Sequence, residues 1–159
     1  MADLSTDDVW RVLEKQNFMV IGMVSARGMA RTAGVMLCAV ERVLWFTTNT
    51  QEWKAKHLAA NGEVSATVPI PKRIPFVPWV KIPAATVTFA GVAQILPAAQ
   101  MPPHARATLL RGLELGGEER GALIGVGVRP VGDFVTYGVG CSLLEMRDTE
   151  KARGRAPAA

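Results

Sequence analysis

The sequence predicts a mainly β protein, a closed or nearly closed barrel of about six antiparallel strands with a few short helices. Three observations carry this expectation. Runs rich in β-branched and aromatic residues recur along the chain, turn-forming pairs separate them at short spacing, and every helix-period segment is short. Closing such a sheet into a barrel would also remove its exposed edges.

Taken in order, Ser5 or Thr6 can cap a first helix, with Asp7 and Asp8 in the first turn, where the helix dipole favours negative charge. Val9, Trp10, Val12 and Leu13 give that helix an apolar face, and Asn17 is a stop. FMVIGMVS (18–25) reads as a first strand, closed by Ala26-Arg27-Gly28. MARTAGVMLCAV (29–40) reads as a second, and VLWFTTN (43–49), after a break at Glu41-Arg42, as a third. Their short spacing predicts an antiparallel meander. Asn49 or Thr50 caps a short helix over QEWKAKHLAA (51–60), which Asn61-Gly62 ends. Glu63 to Ile70 is a fourth strand, with Val64, Ala66 and Val68 alternating against Ser65 and Thr67. Prolines 71, 75, 78 and 83 make the next stretch a loop or an edge. Thr86 to Leu96 resumes as a strand. His104 to Leu115 reads as a helix, opened by Pro102-Pro103 and closed by Gly116-Gly117. ALIGVGVRP (122–130) and DFVTYGVG (133–140) are the two final strands.

A length of 159 residues suits one domain, placed at 1–150, with KARGRAPAA (151–159) as a flexible basic tail. With 49% hydrophobic and 20% charged residues, the composition is that of a folded chain rather than a disordered one. The N-terminus is acidic and polar, unlike a secretory signal, and no run reaches the roughly 18 apolar residues of a spanning helix. A soluble, cytoplasmic protein with no membrane partner is expected. The net charge of +4 suits an anionic ligand, but the tail supplies part of it, and no nucleic-acid partner is expected. Cys38 and Cys141 have no neighbours at metal-ligand spacing, so no metal site and no disulfide framework are expected.

The stretch LWFTTNTQEWKAKHLAANGEVSATV (44–68) carries the chemistry. A strand ends in Thr47 and Thr48, a helix opens at once, and its first turns hold Lys54 and Lys56. Lysines beside the electropositive start of a helix invite an anion; the alternative is a pair of solvated lysines. Arg31 shares a strand face with Ala33 and Val35, either at the barrel mouth, paired with something negative, or solvated at an edge. Gly34 removes a side chain where a flat ring could approach the backbone. His57 and His104 read as packing or hydrogen-bonding residues. Gly125-Val126-Gly127 and Gly138-Val139-Gly140 lack the strand–turn–helix order of a dinucleotide fingerprint and read as sites of close approach. Phe76, Trp79 and Tyr137 are candidate pocket aromatics. No catalytic residue is assigned, because a bound cofactor can carry the chemistry without a dedicated acid or base.

The succession of a helix, R-T-A-G-V in a strand, L-W-F-T-T-N-T-Q-E-W-K-A-K-H-L-A-A-N, and then V-S-A-T-V resembles the pyridoxamine 5′-phosphate oxidase-like, FMN-binding split-barrel superfamily, which includes deazaflavin-dependent reductases. The resemblance covers about residues 5–96 and, loosely, the last two strands. It implies a split β-barrel, a homodimer with the cofactor at the subunit interface, and hydride transfer between coenzyme F-420 or FMN and a small-molecule substrate. It points to Arg31 for the cofactor phosphate, flanked by Thr32, Ala33 and Gly34. It also points to Thr47 and Thr48 at the strand end and to Trp53 and Lys54 at the helix start. Trp53 stands where the oxidases often carry arginine, and Met36 where another family cation falls, which argues against pyridoxamine phosphate as substrate. Lys72, Arg73 and Lys81 flank a loop where the polyanionic tail of coenzyme F-420 could lie, or form a solvated rim. The alternatives are a non-catalytic cofactor- or haem-binding split barrel, or a pyridoxamine 5′-phosphate oxidase.

Overall fold

The structure is a computed structural model that describes residues 2–74, 76, 79, 82–111 and 122–159. Nine strands are found among them: β1 (Ala2–Asp3), β2 (Phe18–Val24), β3 (Ala30–Met36), β4 (Cys38–Val40), β5 (Val43–Asn49), β6 (Glu63–Ile70), β7 (Ala85–Pro97), β8 (Leu123–Tyr137) and β9 (Arg153–Pro157). Three helices of seven or eight residues accompany them, α1 (Thr6–Leu13), α2 (Trp53–Ala60) and α3 (Pro103–Leu109).

Six strands make the barrel, in the order β3-β2-β6-β7-β8-β5, and each neighbouring pair is antiparallel. The ends of this order, β3 and β5, approach without pairing, so the barrel is split along that seam. Alternation fills the interior: Ile21, Phe46, Val68, Val87, Val126 and Phe134 are all fully buried. Phe134 takes the edges of Trp10 and Phe89, with ring centroids 5.5 and 5.6 Å away.

α1 starts as its sequence suggests. Ser5 is the cap, in a reciprocal box with Asp8, and those hydrogen bonds from Ser5 hold the Asp8 carboxyl below its ordinary range. Val9, Trp10 and Leu13 plug one end of the barrel. The segment 29–40 is not one strand. Pairing stops at Leu37, whose N–H donates to Asn17 O, and β4 turns away to pair with β5 alone. The expected meander is therefore two hairpins, β2–β3 and β4–β5. α2 likewise starts later than expected. Glu52 is its cap residue and makes no side-chain cap bond, while Asn49 Oδ1 accepts from Gln51 N within the preceding turn.

Two expectations at the C-terminal end are corrected. The two final strands are one, β8, bent where Gly132 takes a positive φ of 72° and three residues face Phe89 alone. Residues 151–159 are no flexible tail: β9 pairs with β8 and β1, and Ala152, Gly154, Ala156 and Ala158 alternate inward. Small side chains let β9 lie close to α1, where Thr6 Oγ1 donates to Pro157 O and Trp10 Nε1 to Ala158 O. α3 ends at Leu109; residues 112–115 of the expected continuation and the Gly116-Gly117 stop lie outside the described residues, as do residues 75, 77, 78, 80 and 81 of the proline-rich loop.

Candidate functional site

The seam between β3 and β5 opens as a cleft of about 360 Å³. β3 contributes Gly34, Val35 and Met36, β5 contributes Thr47, Thr48 and Asn49, and the start of α2 contributes Glu52 and Lys54. Leu109 of α3 and Leu123 of β8 complete it with an apolar wall. β5 delivers its two threonines to opposite sides, because neighbouring strand residues alternate. Thr47 follows Val43 and Trp45 onto the outer face, while Thr48 follows Leu44 and Phe46 inward and is buried.

Lys54 Nζ stands 3.4 Å from Glu52 Oε2 and 5.4 Å from the centroid of the Trp53 ring, and its side chain is only 21% exposed. Trp53 in turn meets His57 edge-on, at 5.4 Å between centroids, which accounts for His57 as a packing residue. No side chain caps α2, so the N–H groups of its first turn stay free beside Thr47 and Thr48.

Four of the residues pointed to by the sequence thus converge: Gly34, Thr47, Thr48 and Lys54. Trp53 is adjacent, under the Lys54 ammonium. Ala33 packs against the barrel core instead. Arg31 and Thr32 do not line the cleft; they line a separate depression of about 340 Å³ with Gly22, Glu63 and Ser65. Three residue steps along the strand separate Arg31 from Gly34, a distance of about 10 Å. Gly34 itself faces the Phe18 ring, which would lie 2.8 Å from a Cβ placed there, so its open side receives this phenylalanine. Gly127 has the same role under Trp45.

Other expectations fall elsewhere. Lys72 Nζ donates to Cys141 O at 2.6 Å, which engages one of the cations assigned to a cofactor tail. Phe76 and Trp79 are exposed, and Tyr137 donates its hydroxyl to Met146 O. Tyr137 also borders a larger depression, about 540 Å³ on the outer face of β7, β8 and β9, where Arg153 and Arg155 are paired with Glu150 and Asp133. The smaller seam cleft is the stronger candidate, since it alone among these depressions joins a cation, two hydroxyls and a helix start. Glu52, Leu109 and Leu123 were not singled out from sequence. Glu52 had a local signal, a carboxylate just ahead of a helix, whereas the two leucines arrive only through the fold. Among the described residues no cluster could hold a metal ion, and no helix is long and apolar enough to cross a membrane.

No family model and no curated protein matches the chain. Solved structures do. An F-420 reductase is 20% identical over 78% of this chain and 93% of its own, with a TM-score of 0.56. A haem-binding protein from Mycobacterium smegmatis is 14% identical over 99% of this chain, with a TM-score of 0.66, and this chain spans 60% of its length. A candidate pyridoxamine 5′-phosphate oxidase from Listeria innocua is 12% identical over 79% of this chain and 92% of its own, with a TM-score of 0.60. At such identities the likeness is one of architecture. With six antiparallel strands open at the β3–β5 seam, the chain has a split-barrel fold, the architecture it shares with these solved structures.

Proposed function

We propose that the protein is an oxidoreductase using a flavin-type cofactor, coenzyme F-420 or FMN, for hydride transfer with a small-molecule substrate. One observation carries the reading: the seam cleft sets Thr47, Thr48 and Lys54 around the uncapped start of α2. Free N–H groups, the helix dipole, two hydroxyls and an ammonium together suit a phosphate. The apolar wall of Met36, Leu109 and Leu123 suits a planar ring, and the volume lies within the range of small-molecule pockets. The donor set therefore fits the group. When bound, that group supplies the hydride chemistry. The chain's own residues hold it: Lys54 and the threonines at its anionic end, the leucines against its ring, where they keep water away. Arg31 and Thr32, about 10 Å along β3, meet a different part of an elongated ligand than Lys54 does.

The F-420 reductase neighbour supports this reading, and the haem-binding neighbour supports the alternative of a non-catalytic haem-binding barrel. A homodimer, expected from the resemblance, and a cytoplasmic location belong to the same proposal. Titration with coenzyme F-420, FMN and hemin separates the readings. Binding of either of the first two, with affinity reduced by about 1.5–3 kcal/mol in Lys54→Ala, is the expected result. Tight hemin binding with no response to either other cofactor would overturn it.

A further inference from the structure

Two side chains decide the charge of the seam cleft. Among its described lining residues Lys54 is the one cation and Glu52 the one anion, and they stand 3.4 Å apart. Glu52 is also the residue from which α2 starts, so its carboxylate occupies the electropositive end of that helix. The Trp53 ring beneath the ammonium helps to hold Lys54 low against the helix. Thr48, 7% exposed, lines the same cleft, and its hydroxyl has no hydrogen-bond partner among the described residues. The cleft thus presents unspent donors around side-chain charges that cancel.

We propose that Glu52 sets the charge this cleft accepts, so that it prefers a singly charged phosphodiester to a doubly charged phosphomonoester. The proposal rests on reading the cleft as a cofactor-phosphate site and says which kind of phosphate it selects. A first negative charge can be met by Lys54, because the Glu52 side chain is 49% exposed and can turn toward water. A second has no further cation on the described wall and remains close to the carboxylate. One unit charge brought to about 5 Å from a like charge in a water-like medium shifts an equilibrium about fourfold. FMN ends in a phosphomonoester, whereas coenzyme F-420 carries its phosphate as a diester. The charge pattern therefore favours the deazaflavin, on grounds independent of the loop lysines.

The test is a fluorescence titration of FMN, riboflavin and coenzyme F-420 against the wild type, Glu52→Gln and Lys54→Ala, with thermal melts confirming that each variant is folded. Glu52→Gln is expected to tighten FMN about fourfold more than coenzyme F-420, because FMN brings one more negative charge near the carboxylate. Unchanged or weaker FMN binding by Glu52→Gln, or an equal gain for both cofactors, would overturn the charge selection and leave the phosphate site standing. FMN and riboflavin binding equally well, with Lys54→Ala altering neither, would overturn the phosphate site itself.

Discussion

Glu41 and Arg42, which join β4 to β5, both take left-handed backbone angles, with φ of 53° and 58°. A two-residue hairpin turn demands positive φ at both positions to match the twist of its strands, and neither residue is the glycine or asparagine that adopts it readily. Arg42 has one compensating contact, an ion pair with Asp7 of α1, but both partners are solvent-exposed and such pairs contribute little. Arg42→Gly is therefore expected to stabilise the fold by about 0.5–1 kcal/mol, read as a higher denaturant midpoint at constant slope. A loss of stability would mean that the Asp7 contact outweighs the strain. At the same scale, Lys54 and Glu52 were unequally legible. Lys54 is conspicuous because a cation at a helix start is disfavoured, while Glu52 is favoured there and so attracts no notice until its distance to Lys54 is known.

Among the elements, β9 departs most from expectation. A stretch with Lys151, Arg153 and Arg155 in nine residues has the composition of a solvated tail. Its alternation has the opposite meaning: Gly154, Ala156 and Ala158 turn inward and the arginines outward. Period two is hard to notice when the inward residues are glycine and alanine rather than valine or isoleucine. Deleting 153–159 removes a paired strand and uncovers Trp10 and Phe134 at the barrel end. The expected cost is about 2 kcal/mol or more, a drop in Tm of roughly 5 °C or more. An unchanged melting curve would show that β9 contributes nothing. β8 was misread for a related reason: Pro130 and Gly132 look like a turn between two strands, yet the bulge they mark bends one strand without ending it.

On the whole molecule, the outer face of β7 and β8 is covered by Trp45 and Met101 at its Gly125–Gly127 end and carries exposed apolar residues at the other. Val92, Val131 and Val135 lie on it, each about half exposed, beside Thr88 and Ala90. An apolar row on a sheet face fits the proposed homodimer, since a second sheet can cover it. Light scattering should then find a dimer for the wild type and a monomer, or a dimer at least tenfold weaker, for Val135→Asp, because a buried unpaired carboxylate costs more than about 1.4 kcal/mol. A wild-type monomer at tens of micromolar would refute the dimer.

Local pattern by itself determined the class of this protein, the start of α1 and the threonine–lysine grouping at β5 and α2. Each of these depends on residues close together in the chain, through alternation, capping and helix polarity. Only the tertiary structure decided where the barrel splits, and with it which candidates meet. Pairing across β8 places β5 at one end of the sheet and β3 at the other, and the seam between them takes Gly34 but leaves Arg31 outside. Leu109 and Leu123 join the cleft for the same reason, since strand register and helix docking set distances that sequence separation does not encode.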